Sequence, residues 1–186
     1  MADEGLEAGL VERARAGDHA AFAALVVRYQ QPLGGYLARL TGDPDVAADL
    51  VQETFLRAYR ALGATRPGLL VRPWLYRIAT HLAYDYLRRR RRLAWVPLEA
   101  AAEHAVGDLV AELAEHVLVR EALGRLRPAE RAVLLLCGLE GLSYAEAALA
   151  LGSSSPEAVR KRFGRAKEHF RLVYLALGGA SPPEAA

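Results

Sequence analysis

Helix-start signals recur along the chain, and nothing between them reads as a strand. Asp18 follows Gly17 and precedes a run of apolar residues at helical spacing. Asp43-Pro44 and Ser155-Pro156 each pair a capping side chain with a proline suited to the first helical position. Ser143 has Glu146 three residues on, the spacing of a capping box. Pro73 and Pro128 stand where further helices open, and Gly63, Gly152 and Gly178-Gly179 stand where helices stop. No segment shows the period-two alternation of a half-buried strand. The expected fold is therefore all-α, with helices over about 19–40, 45–62, 73–92 and 108–126, then from Pro128 to near Gly138 or Gly141, from Ser143 to Gly152, and from Pro156 to Leu177. Pro32 is expected to kink the first of these or to end its first half.

At 186 residues the chain has room for one medium domain or two small ones. The helical pattern fades from Leu93 to Gly107 and Pro97 breaks it, which marks a linker. The expectation is two helical domains, 1–93 and 115–179, joined by a flexible acidic linker over 94–114, with a disordered tail at 180–186. Charge follows the same division. Residues 1–95 hold fourteen arginines against ten acids, a balance of +4, and residues 120–186 hold ten basic residues against seven acids, a balance of +3. Between them lie five acids (Glu99, Glu103, Asp108, Glu112, Glu115) and no Lys or Arg. Two mildly basic lobes on an acidic connector fit two contacts with a nucleic acid, although such charges also simply solvate helices. Residues 1–10 have no apolar core segment, so no signal peptide is expected, and the apolar stretches fall well short of the roughly 20 residues of a membrane span. A single cysteine, Cys137, lies in an apolar run and reads as a small buried hydrophobe. A cytoplasmic protein is expected.

Three helical faces carry chemistry. On the 45–62 helix, Ala48, Val51, Phe55, Tyr59 and Leu62 form an apolar stripe, while Asp49, Gln52, Glu53 and Leu56 lie on a largely polar face. That second face is either a solvated surface or a docking surface in which acids and an amide frame one leucine. On the 73–92 helix, Leu75, Ile78, Ala79, Leu82 and Tyr86 are expected inside, and Arg77, Thr80, His81, Tyr84 and Arg88 outside. Cations beside flat rings suit single-stranded DNA, and Trp74 at the helix start is either a core aromatic or another such ring. The run Arg88 to Arg92, with Arg89 within it, suits phosphates at a helix C-terminus.

The segment from Ser143 to Leu177 reads as a helix-turn-helix. In its second helix Val159, Phe163, Ala166 and Phe170 face inward, and Glu157, Arg160, Lys161, Gly164, Arg165 and Glu168 face outward. Residues near the start of a recognition helix reach base edges in the major groove, which selects Ser155, Glu157, Arg160 and Lys161. Arg165 and Lys167 are placed to meet phosphates. The five histidines are scattered, no metal-ligand spacing or Gly-rich phosphate loop is present, and no nucleophile–base set stands out. No catalytic centre, metal or cofactor is expected.

The stretch Asp43-Pro44-Asp45-Val46-Ala47-Ala48-Asp49-Leu50-Val51-Gln52-Glu53-Thr54-Phe55 resembles the region 2 signature of extracytoplasmic-function (ECF) sigma factors, a branch of the sigma-70 family. Arg72 to Arg89 resembles the family's −10 promoter-reading helix, and the segments 122–134, 142–148 and 158–167 resemble region 4 with its helix-turn-helix. The resemblance covers roughly residues 10–92 and 115–177. It implies that Asp49, Gln52, Glu53 and Leu56 dock on the β′ clamp helices of core RNA polymerase, with region 4 at the β flap. Trp74, Arg77, Thr80, His81, Tyr84, Arg88 and Arg89 would meet the −10 element, and Ser155, Glu157, Arg160, Lys161 and Arg165 the −35 element. It further implies a base pocket near residues 64–72, a connector that threads the polymerase, an anti-sigma partner, and promoter recognition without catalysis by this chain. The sequence departs from the family pattern at His81, where asparagine is usual, at Ala147, where isoleucine is common, and at Gly152-Ser153-Ser154-Ser155, one residue longer than the usual turn. From another class, a dimeric helix-turn-helix regulator acting without polymerase would share the C-terminal features. It would have no use for the face around Glu53.

Overall fold

The computed structural model describes the backbone of residues 2–93 and 110–179 and the side chains of 5–92 and 115–179. Among the described residues it contains α1 (Ala2–Arg15), α2 (His19–Thr41), α3 (Pro44–Leu62), α4 (Val71–Leu93), α5 (Val110–Arg125), α6 (Pro128–Leu134), α7 (Tyr144–Leu151) and α8 (Pro156–Ala176), and no strand. The acids Glu99, Glu103 and Asp108 and the tail 180–186 lie outside the described residues, as does most of the expected linker, although α5 already begins at Val110.

The capping chemistry is local and visible. Asp18 Oδ1 accepts from the Ala20 and Ala21 N–H groups at 2.9 and 3.0 Å, and Asp43 Oδ1 accepts from Asp45 and Val46 at 3.1 and 3.2 Å. Ser143 and Glu146 close their reciprocal box, with Ser143 Oγ accepting from Glu146 N–H at 3.2 Å and Glu146 accepting from Ser143 N–H at 2.9 Å. Gly42 ends α2 with φ +79°, a conformation that favours glycine. Past α6 the ladder loosens into a π turn, Leu135–Leu139, in which Glu140 N–H donates to the Leu135 carbonyl at 2.8 Å.

Four expectations need correction. Pro32 does not end its helix, because α2 runs unbroken from His19 to Thr41 and the proline is exposed on its outer side. Helix α1 had no clear signal in the sequence, yet it packs on α2 and buries Val11. The buried stripe of α3 is Ala47, Thr54, Phe55, Ala58 and Leu62, while Ala48 and Tyr59 are exposed. Small residues let α3 approach α2 closely, and Thr54 enters the core because its hydroxyl donates to the Leu50 carbonyl at 2.6 Å. Thr80, expected outside on α4, is also in the core.

Helix α2 is the central strut. Leu33, Tyr36, Leu37 and Leu40 are wholly buried, and α1, α3 and α4 pack around it. Helices α6, α7 and α8 close a smaller lobe over Leu136, Ala147, Val159 and Ala166. The two lobes are in contact, since α4 packs on α7, α2 meets α6 and the π turn, and one apolar core runs from Val11 to Ala166. Arg131 of α6 is a buried link between them. Its guanidinium donates to the Leu40 carbonyl at the end of α2 (2.7 Å), to the Gly124 carbonyl in the last turn of α5 (2.8 Å) and to the Leu126 carbonyl just beyond it (3.3 Å). Burial pulls the Arg131 pKa down, while the carbonyls at two helix C-termini offer the partial negative charge that a buried cation needs.

Candidate polymerase and nucleic-acid interfaces

On α3, Asp49, Gln52 and Leu56 are exposed together, and Leu56 keeps 44% of its surface in solvent. Glu53 is half-buried beside them and accepts from Arg57 Nε at 2.6 Å, one turn on. The spacing of 49, 52, 53 and 56 puts all four on one side of the helix. Tyr59 extends this side. Its ring packs edge-on to Phe22, and its hydroxyl pairs with His19 Nδ1 at 3.0 Å. Helical spacing alone places Tyr59 in the core, but a phenol must keep its hydroxyl partnered, and the rim of the core allows that.

On α4, Arg77, His81 and Arg88 are exposed and Trp74 half-buried, and their spacing of three, four and seven residues aligns them along one face. Thr80 is not part of that face. It is 1% exposed, donates to the Tyr76 carbonyl at 2.6 Å and shares a hydrogen bond of 2.7 Å with the Tyr36 hydroxyl, so it holds α4 against α2. Tyr84 is half-buried, with its hydroxyl out of solvent and without a partner among the described residues. Burial pushes its pKa up to about 12, and the Arg162 guanidinium of α8 pulls the other way. Arg88 pairs with Asp85, and Arg89 Nε donates to the Asp85 carbonyl at 3.3 Å. Arg90, Arg91 and Arg92 are exposed.

A cavity of about 470 Å³ opens before the start of α4, lined by Thr65, Pro67, Leu70, Trp74, Arg77 and, from α7, Leu149. Its loop is held in shape by α1. Glu12 Oε1 accepts from Gly68 N–H at 3.1 Å, and Gly68 has φ +74°, which favours glycine. The Gly68 N–H, followed by Arg15, holds the Glu12 carboxyl below its ordinary pKa. This role of α1 is not legible in the sequence, because a loop contact 56 residues away leaves no local pattern.

On α8, Glu157, Arg160, Lys161 and Arg165 project outward from the first three turns. Ser155 Oγ is committed to capping Ala158 N–H at 3.1 Å, leaving its own proton free to donate. Glu157 grips Arg160 through two bonds of 3.0 and 2.8 Å, and this pairing lowers the glutamate pKa and raises that of the arginine. Arg165 folds back toward the Lys161 carbonyl at 3.4 Å. Behind this face Phe163 packs against Tyr144 of α7 and close to Gly138. Among the described residues no group of three or more His, Cys, Asp or Glu side chains converges to hold a metal ion, and no helix is long and apolar enough to cross a membrane.

The family model of Sigma-70 region 2 matches residues 25–93 and that of Sigma-70, region 4 matches residues 116–170. The chain is 37% identical over 165 residues to the RNA polymerase sigma factor CarQ of Myxococcus xanthus, an alignment covering 87% of this chain and 93% of that one. It is 36% identical over 181 residues to the ECF RNA polymerase sigma-E factor of Salmonella typhimurium, covering 90% and 94%. The solved sigma factor RpoE of Bartonella quintana, in complex with the anti-sigma factor NepR, superimposes with a TM-score of 0.67 at 25% identity, covering 82% of this chain and 95% of that one. Two sigma-70 regions in their proper order, with relatives matched along nearly their whole length, make this chain a sigma-70-family RNA polymerase sigma factor of the ECF type, which directs transcription initiation at promoters.

Proposed function

We propose that three separate surfaces divide the work of initiation. The α3 face of Asp49, Gln52, Glu53 and Leu56 docks on core polymerase at the β′ clamp helices. Its acids and amide orient the contact, and Leu56 supplies apolar area that is otherwise left in water. The α4 face holds the opened −10 strand. Trp74 and His81 offer rings for unstacked bases, Tyr84 joins them once its hydroxyl is uncovered, and Arg77, Arg88 and Arg89 meet phosphates. The cavity beside Trp74 is large enough to take one such base.

The start of α8 enters the −35 major groove, with Arg160 and Lys161 at base edges, Ser155 and Glu157 beside them, and Arg165 on the backbone. Region 4 meets the β flap, and the chain itself performs no chemistry. An anti-sigma factor is the expected regulatory partner, by analogy with the bound RpoE. The observation that carries this reading is the exposed, non-basic α3 face on the same chain as two basic helical faces.

The test mixes purified chain with core polymerase and a promoter library and maps the transcript starts. Start-site-specific transcripts are expected from the native chain, and none from Glu53→Arg, which should also lose binding to core polymerase. Operator binding that survives Glu53→Arg, without specific initiation, would instead favour the dimeric regulator.

A further inference from the structure

The loop between α3 and α4 forms most of the wall of the cavity beside Trp74, yet it does little to hold its own shape. Its first N–H groups, those of Ala64 and Thr65, still donate to the Ala61 and Leu62 carbonyls as α3 runs out, at 3.1 and 3.0 Å. From Arg66 to Leu70 no N–H donates to another backbone group among the described residues. The ties come instead from α1. One carboxylate oxygen of Glu12 accepts from Gly68 N–H at 3.1 Å, and the other accepts from Arg15 Nε at 2.9 Å. Arg15 Nη1 in turn donates to the Thr65 carbonyl at 3.5 Å. Two half-buried residues about one turn apart on α1 therefore hold both sides of the bend at Pro67. An ion pair this open to water adds little to the stability of the fold, so what the tie governs is the freedom of the loop.

We propose that Glu12 and Arg15 form a positioning clip for −10 recognition: they fix the 64–70 wall against which an unstacked base is held, and they sharpen the choice of base without touching DNA. The proposal rests on the reading of this cavity as the site of that base. A binding site carried on a loop is precise only where neighbouring side chains fix the loop. Ordering that loop in advance also removes a cost that would otherwise fall on binding. The chemistry asks for a carboxylate. Each Glu12 oxygen serves a different partner, one on the loop and one on the guanidinium. An amide would keep an acceptor for Gly68 and lose the charge that pairs with Arg15, and a methyl group would keep neither.

The experiment combines the full chain with core polymerase on promoters carrying each of the four bases in turn at every −10 and −35 position. It reads the ratio of initiation between the best and the worst base at each position. Glu12→Ala should flatten that ratio by about 3- to 10-fold at one −10 position, as expected for a hydrogen bond lost at a partly exposed site. The −35 ratios should stay native. Glu12→Gln should keep most of the discrimination. Arg15→Gln should flatten the same −10 position and serves if the alanine variant melts early. A clip that merely supported the fold would lower initiation on every promoter alike and leave the ratios unchanged. Native ratios in both Glu12→Ala and Arg15→Gln therefore overturn the proposal, whatever the total yield. Trp74→Ala, on the same cavity, tests the reading beneath it. If that variant leaves every ratio native, the cavity is not the base site and the clip falls with it. If it flattens one −10 position while the clip variants match the native chain, the clip alone is wrong.

Discussion

Asp18 works with both of its oxygens. Oδ1 caps α2, and Oδ2 accepts from Arg13 Nε and Nη2 at 2.9 and 2.6 Å. The Ala21 N–H first, and Arg13 second, hold its carboxyl below the ordinary value of 3.8. A depressed folded pKa means the charged form stabilises the fold above the unfolded pKa, and that this contribution fades as pH falls through the folded value. Asn caps well but carries no charge. The melting-temperature gap between the native chain and Asp18→Asn should hold near neutrality and close below pH 3.8. Thr80 offers a sharper division between core and interface. Thr80→Val would strip the Tyr36 hydroxyl of its partner inside the core, at a cost of about 1–3 kcal/mol in denaturant unfolding. DNA affinity of the folded protein should stay unchanged, because no part of Thr80 reaches the surface that Arg77 and His81 share.

Helix α4 ends in five arginines, where its own dipole adds negative potential and where phosphates would find several cations together. If they neutralise about four phosphates of duplex DNA, log K should fall with log salt at a slope near −3.6. Replacing Arg90, Arg91 and Arg92 with glutamine should flatten that slope by about 2.7 in a fluorescence anisotropy titration. Elements such as this were legible in the sequence because their ends are chemical. Asp18, Asp43-Pro44, Ser143 with Glu146, and Ser155-Pro156 each cap the helix they announced, and the outward faces of α3 and α8 followed from spacing. What escaped was decided by distant partners. Thr54 and Thr80 look polar until a carbonyl or phenol inside the core satisfies them, and Tyr59 looks like core until His19 meets it at the rim. Helix α1 offers few apolar residues, and its anchoring of the Gly68 loop depends on contacts no local window contains.

At the scale of the whole molecule, the expected pair of lobes exists, but they lean on each other. Composition predicted two basic units and could not say that they touch, because the seam uses ordinary core residues plus three polar ones, Arg72, Glu140 and Arg131, that read as surface charge. A buried guanidinium between two helix ends is an odd choice for a permanent core, where an apolar side chain serves at least as well. The π turn then takes on a mechanical meaning. It carries one residue more than an α-helical turn would, and each residue rotates the chain by about 100°. Shorten that turn by one and α6 and α7 would both survive, but the carboxylate of Glu140 would swing away from the Tyr76 phenol, whose hydrogen bond it now accepts. The chain would keep its parts and lose its clasp.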